Sequence, residues 1–378
     1  MQKGSHAVNL ITAVLFWSLI GAFGIGIFIL PPEDFSKSEG RSLARFPEYR
    51  TESLVDGSFF EGLSDFYSDQ LPLREYFGNI YALSEFSLGK REVNGAVLCS
   101  NGALVLRSQT NERTFSENLD AISNILQGEL QAVFFAVPAP SGIFSDSMPL
   151  KASSQISSIS NACSREFLSR ASTEPTRYYY RTDHHWTTQG AYLSYSLICQ
   201  ELGITPYGED FFEEQTVCEE FYGSAFRRSS LPRAVIDADS ITLYRYDGDG
   251  ELLLTDHSTG QTSKGLYDFE EIDNGDAYRI FLGGNSAHLT VESTTPEVRK
   301  KLLILKDSYA NSLVSFLALH YDIDMIDPRY AEPSTVEDLC ASKDFDAILV
   351  LLSESTLGEE RSISACANII AQIPDKKH

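Results

Sequence analysis

Residues 10–30 read LITAVLFWSLIGAFGIGIFIL, an uncharged run whose polar side chains are one threonine and one serine. As a helix rising 1.5 Å per residue it reaches roughly 30 Å, the thickness of a bilayer core. A buried helix of a globular domain does not need that length. A secretory signal has a shorter apolar run closed by a small-x-small cleavage site. Here Leu30 leads straight into PPEDFSKSEG, so the run is expected to be an uncleaved single-pass anchor, with a cleaved signal as the alternative. Lys3 precedes the span and Glu33 and Asp34 follow it, which puts the N-terminus in the cytoplasm and the remainder outside.

The 378-residue chain is long enough for one large domain or two ordinary ones, and its 43% hydrophobic and 22% charged residues are those of a folded protein. The formal net charge of −23 excludes a surface that tracks a phosphate backbone, so no nucleic acid is expected as a partner. Six cysteines lie at 99, 163, 199, 218, 340 and 366, none at CxxC spacing. They are expected to be small buried hydrophobes, with one or two disulfides as the alternative in an exterior domain.

Residues 31–56 carry Pro and Ser and are expected to form a stalk, with the folded domain over 57–378. Aromatics at helical spacing from Phe59 to Leu83 predict two helices broken near Leu71–Pro72. REVNGAVLCSNGALVL predicts a hairpin turning at Asn94–Gly95, and residues 112–128 a helix. QAVFFAVPAP predicts a strand buried on both faces. The Ser-rich residues 151–164 predict a loop leading into a helix, and TTQGAYLSYSLICQELGI a helix capped by Thr187 or Thr188. Residues 205–290 alternate and turn at DG and GGN, predicting a β-rich insert. From Lys301 onward strand and helix patterns alternate, which implies parallel crossovers and an α/β sheet.

Two stretches carry candidate chemistry. In LLILKDSYANSL a buried strand ends, and Ser308 follows where a helix begins. Ligands of open α/β sheets bind beyond the carboxyl ends of the strands, and free first-turn N–H groups there can hold an oxyanion. Ser308 is therefore a candidate nucleophile; a plain helix N-cap is the alternative. In RTDHHWTTQGAY, residues two apart in an extended chain share a face, so Asp183 and His185 point together and His184 points away. A carboxylate and an imidazole so placed are the base and orienter a serine needs. The alternative is a polar loop capped by Asp183. Adjacent histidines without further ligands at spacing do not make a zinc site, so no metal is expected.

At these residues the chain resembles the DHHW family of bacterial proteins, which is similar to the SGNH-hydrolase-like proteins of alginate O-acetylation. SEGRSLARFP at 38–47 resembles a family stretch in which Asn is usual at the position of Gly40. SDQLPLRE at 68–75, KDSYANS at 306–312 and DPRY at 327–330 also match. The resemblance implies a triad of Ser308, His185 and Asp183 on an SGNH-like (flavodoxin-like) parallel sheet with helices on both faces. Lys306 stands where ordinary SGNH enzymes have Gly, and here Asp and His precede the Ser, as in the alginate-type proteins. Around the triad, Tyr309 is expected to offer its N–H to an oxyanion, and Asn311, Arg329 and Tyr330 to line the pocket. Asn285 is either a donor or a turn residue, and Trp186 either a sugar platform or core packing. The function implied is extracytoplasmic O-acetylation of a cell-surface polysaccharide, without a cofactor and with a membrane-bound O-acyltransferase delivering acetyl groups. An esterase with the same triad, or a non-catalytic glycan-binding protein, are the alternatives.

Overall fold

The computed structural model describes residues 2–36, 41–107, 110–149, 164–295 and 297–374, with side chains from Asn9 onward. The Ser-rich stretch up to residue 163, with Cys163, lies outside the described residues. The chain divides into two compact units, Met1–Gly89 with Ser230–Pro232, and Lys90–Ser229 with Arg233–His378.

In the first unit α1 (Gln2–Ile29) contains a segment, Asn9–Ile29, of mean hydropathy 2.2, long and apolar enough to cross a membrane. Helices α2 (Ser58–Asp69) and α3 (Arg74–Ser87) follow, broken at Leu71–Pro72 because proline cannot continue the hydrogen-bond ladder. Two of the motifs that carry the resemblance meet here. Arg41 forks onto Asp69 at 2.6 and 2.9 Å, and Asp69 also accepts the Ala44 N–H at 2.8 Å. The Arg41 hydrogen bond leads the effects that bring the Asp69 carboxyl down to about 2. A depressed carboxylate stabilises fully above its unfolded value and loses that contribution as pH falls through its folded one. Acidification from about pH 4 toward pH 2 is therefore expected to free the 41–47 segment, read as new cleavage by an acid-active protease. Asp69→Asn should give the same cleavage at neutral pH.

The second unit is built on a seven-stranded sheet. Strands β1 (Glu92–Val93), β2 (Ala96–Leu98) and β3 (Leu104–Leu106) form a small separate sheet, with Asn94 and Gly95 at φ 53° and 77° turning the first hairpin. The large sheet takes β4 (Ala132–Val137), β7 (Leu252–Asp256), β8 (Gln261–Lys264), β9 (His288–Ser293), β10 (Lys300–Lys306), β11 (Tyr321–Ile326) and β12 (Ala347–Ser353). Its order is β8-β7-β9-β11-β10-β12-β4. The half formed by β11, β10, β12 and β4 is parallel, in registers such as Leu302↔Ile323 and Leu302↔Ala347. β4, β12 and Leu302–Leu305 of β10 read as unbroken apolar runs, as strands covered on both faces do; all of β12 and Leu302–Leu305 of β10 are buried. The other half is antiparallel, joined through His288↔Ile326. The alternating stretch before residue 290 thus supplies three strands that extend this sheet, while β5 (Glu213–Phe221) and β6 (Asp239–Arg245) pair by themselves.

Helices α4 (Glu112–Leu126), α5 (Arg165–Thr173), α6 (Thr188–Glu201), α8 (Ala310–Leu317), α9 (Pro333–Ser342), α10 (Glu354–Glu359) and α11 (Ser362–Ile370) pack around the large sheet, and α7 (Ser224–Ser229) packs on the small one. Thr187 caps α6, its hydroxyl accepting the Gly190 N–H. Five cysteines are free thiols, with Cys99, Cys199 and Cys366 buried, and no disulfide forms among the described residues.

Candidate active site

Ser308 lies in the turn between β10 and α8, past the carboxyl end of a strand flanked by β11 and β12. Asp307 fixes that turn. Its Oδ1 accepts the Tyr309 N–H at 3.1 Å, and its Oδ2 accepts the Ser353 N–H and the Thr356 hydroxyl at 2.7 and 2.8 Å. The serine is therefore tied to the end of β12. It does not cap α8: Tyr309 holds the N-cap position, and no side chain bonds there.

The RTDHHW stretch closes on itself. Thr187 N–H donates to Tyr178 O and Tyr180 N–H to His185 O, while Tyr179 bridges to Trp186. Asp239 accepts the Arg181 and Thr182 N–H groups and the Thr182 hydroxyl, pinning the loop to β6. The backbone inside the loop is bent rather than extended. Asp183 Oδ1 accepts the His185 N–H at 2.9 Å, an Asx-type turn that brings the carboxylate under the imidazole of residue 185. This bend corrects the placement of His184. It does not point away; its ring centroid is 3.9 Å from that of His185 and its Nδ1 is 2.6 Å from Ser224 Oγ.

The three distant residues meet. His185 Nε2 is 2.7 Å from Ser308 Oγ, and His185 Nδ1 is 2.5 Å from Asp183 Oδ1. All three are buried, Ser308 retaining 8% exposure. Asp183 Oδ2 accepts the Ser224 N–H at 2.7 Å. Burial opposes the charge on Asp183, but the imidazoles of His184 and His185 and these hydrogen bonds hold its carboxyl well below the usual range. Burial and the neighbouring His185 push the His184 imidazole down. Donor atoms of Asp183, His184 and His185 lie within 4.8 Å of one another, the spacing of a metal cluster. The Asp183 and His185 atoms already have protein partners in the relay.

Tyr278, which sequence reasoning missed, stacks on the His185 ring at 3.7 Å and 8°. Its hydroxyl donates to Ser308 O at 3.3 Å and lies 3.2 Å from Ser312 Oγ, so one buried side chain braces both halves of the His–Ser pair. Ser224 and Gly223 were also missed. No local signal marks any of them, since each acts through a contact between distant segments.

The other expected residues fall into two groups. The Tyr309 N–H, expected to face an oxyanion, is taken by Asp307, and its buried hydroxyl donates to His184 O. Trp186 is fully buried with its indole N–H on Ser312 Oγ at 2.9 Å, which is the packing alternative and not a sugar platform. Asn285, Asn311 and Lys306 form one cluster. Lys306 Nζ donates to Asn285 Oδ1 at 3.1 Å and Asn311 Oδ1 at 2.6 Å, and Asn311 Nδ2 donates to Asn285 Oδ1 at 3.1 Å. Burial pushes the Lys306 ammonium down to about 8, against the Asp327 carboxylate 3.9 Å away. Arg329 pairs with that same Asp327 at 2.6 Å, and Tyr330 is exposed. With the Asn285 carbonyl so occupied, its NH2 is left free among the described residues, as is the Ser308 N–H. Asn285 also lines a polar groove of about 690 Å³ with Arg279, Asp268 and Glu271.

The second unit thus joins a half-parallel α/β sheet to a serine at a strand's carboxyl end that faces a His–Asp pair. The family model described as DHHW protein matches residues 153–326 of the chain. A DHHW family protein from Eubacterium siraeum shares the fold at TM-score 0.58 and 20% identity, over 73% of this chain and 96% of that one. Bacillus cereus PatB1, solved with a sulfonyl adduct, aligns at TM-score 0.56 and 16% identity, over 71% and 97%. The O-acetyltransferase domain of Pseudomonas putida AlgJ aligns more loosely, at TM-score 0.41 and 14% identity over 72% and 99%. No curated protein matches the chain.

Proposed function

We propose that this chain is a membrane-anchored, extracytoplasmic O-acetyltransferase that modifies a cell-surface polysaccharide through an acetyl-serine on Ser308. The observation that carries the reading is the unbroken relay from Ser308 Oγ through His185 to buried Asp183, at 2.7 and 2.5 Å. His185 Nε2 takes the Ser308 proton as Oγ bonds to the acetyl carbon of the donor. The imidazolium then gives that proton to the departing heteroatom as the donor bond breaks. In the second half His185 takes the proton of a sugar hydroxyl, whose oxygen bonds to the acetyl carbon. The ester bond to Ser308 breaks and the proton returns to Oγ. Asp183 stays ionised and holds the tautomer with hydrogen on Nδ1.

The free Ser308 N–H and Asn285 NH2 are the donors assigned to the oxyanion, with Lys306 and Asn311 fixing the orientation of the Asn285 amide. Asn285→Ala is expected to lower turnover of a small ester by about 10²–10³-fold with little change in KM. An unchanged rate would remove Asn285 from the site.

Acetyl-CoA is not available outside the membrane, so the acetyl group is assigned to a membrane-bound O-acyltransferase partner, as in the alginate-type systems that the motifs resemble. The polar groove beside Asn285 suits a glycan acceptor. The reading is tested by following an acetyl ester with and without acceptor glycan. Acetyl-glycan formed at the expense of free acetate supports transfer. Acetate release indifferent to glycan makes the chain an esterase, and neither activity leaves a binding protein.

A further inference from the structure

Helix α3 carries Leu73, at its N-cap, then Tyr76, Phe77, Ile80 and Tyr81 at i, i+3, i+4, i+7 and i+8, the spacing of one apolar face. A face of that kind normally packs on a core. Here the same five side chains are 60, 66, 45, 65 and 53% exposed, while Ala82 on the other side of the helix is buried. What covers the face follows from where α3 is attached. The Phe23 and Phe77 rings lie 5.5 Å apart and the Phe28 and Tyr67 rings 5.9 Å apart. Gly26 meets Pro72 so closely that a Cβ there would stand 3.0 Å from the ring. The α2–α3 elbow is thus seated on the last turns of α1, inside the apolar segment Asn9–Ile29 and not beyond it.

The segment from Asn9 to Ile29 is only as long as a bilayer core is thick, roughly 30 Å, so it has no length to spare. Phe23 lies about 9 Å before its end at 1.5 Å per residue. Whatever packs at that height is within the outer leaflet, at the depth of about 5–10 Å where in-plane amphipathic helices rest. Two tyrosines on the face fit that layer, where an apolar ring with a polar tip is favoured.

We propose that α3 is a membrane-embedded foot: a helix lying in the outer interface of the bilayer, its Leu73–Tyr81 face covered by lipid. The proposal rests on α1 spanning the membrane, and the experiment separates the two. The chain has two tryptophans, Trp17 inside the apolar segment and Trp186, which is fully buried in the second unit and gives a constant background. The full chain is reconstituted in phosphatidylcholine vesicles brominated either near the headgroup or deep in the acyl chains, and fluorescence is followed also with acrylamide in the water. Deep bromines should quench Trp17. In Trp17→Phe with Ile80→Trp, shallow bromines should remove most of the added emission and acrylamide little of it. If Trp17 is quenched by lipid but position 80 is quenched only by acrylamide, the foot is overturned and the anchor stands. Protection of position 80 from both quenchers means a protein covers the face, which also overturns it. A Trp17 that no brominated lipid reaches removes the anchor, and the foot with it.

Discussion

Asp183→Asn is expected to lower turnover of an ester substrate by about 10⁴-fold while the chain stays folded. Oδ1 of Asp183 accepts both the His185 N–H and its Nδ1–H, and Oδ2 accepts the Ser224 N–H. An amide keeps only one acceptor. If its oxygen stays on His185, its NH2 confronts the Ser224 N–H; if it turns, the imidazole adopts the tautomer that cannot take the Ser308 proton. The structural penalty is about 1–3 kcal/mol, the cost of leaving a buried donor unsatisfied. Turnover and thermal unfolding measured together separate the two effects. A variant that unfolds like the parent and keeps its rate would show that Asp183 does not orient His185. The pH profile offers a second reading. Because the Asp183 carboxyl is held well below the usual range, it is ionised at every pH where the protein is assayed. An acid limb between about pH 5 and 7 in the parent would then not report this carboxylate.

Gly223→Ala is expected to damage the site from outside the relay. A Cβ on Gly223 would stand 2.2 Å from Asp183 Cβ and 2.5 Å from its Oδ2, inside any non-bonded contact. Either Asp183 shifts or the segment after β5 retracts, and retraction breaks both Ser224 N–H to Asp183 and Gly223 N–H to Thr182 Oγ1. Overpacking of this kind costs about 1–3 kcal/mol. A displacement near 1 Å in a proton-transfer geometry lowers the rate by about 10²-fold. Normal turnover and an unchanged unfolding temperature in Gly223→Ala would mean that this segment does not press on Asp183.

Much of the architecture could be read along the chain because local chemistry dictates it. The apolar run before Leu30, the Pro72 break, the Asn94–Gly95 turn, the Thr187 cap and the strand–turn–helix around Ser308 all appear where residue type and spacing put them. The candidate site was half legible. A serine after a buried strand and an Asp-x-His pair are local patterns, but their meeting across 123 residues is set by tertiary packing. What failed did so for identifiable reasons. The face assigned to His184 assumed an extended backbone, and the Asx-type bend at Asp183 removed that assumption. The Tyr309 N–H looked free as a first-turn amide, but Asp307 captures it. Alternation before residue 290 marks strands without naming their partners, so the antiparallel extension of the sheet was not foreseeable. Tyr278, Gly223 and Asp239 act on the loop from other segments, and nothing in their own neighbourhoods announces it.

The relay is tested most directly by treating the chain with phenylmethylsulfonyl fluoride and locating the adduct by peptide mass spectrometry. Only an activated hydroxyl attacks such a reagent at an appreciable rate. A single sulfonyl group on Ser308, lost in Ser308→Ala and slowed sharply in His185→Ala, is the predicted result. An unmodified Ser308 in folded protein, or a labelling rate indifferent to His185→Ala, would contradict it.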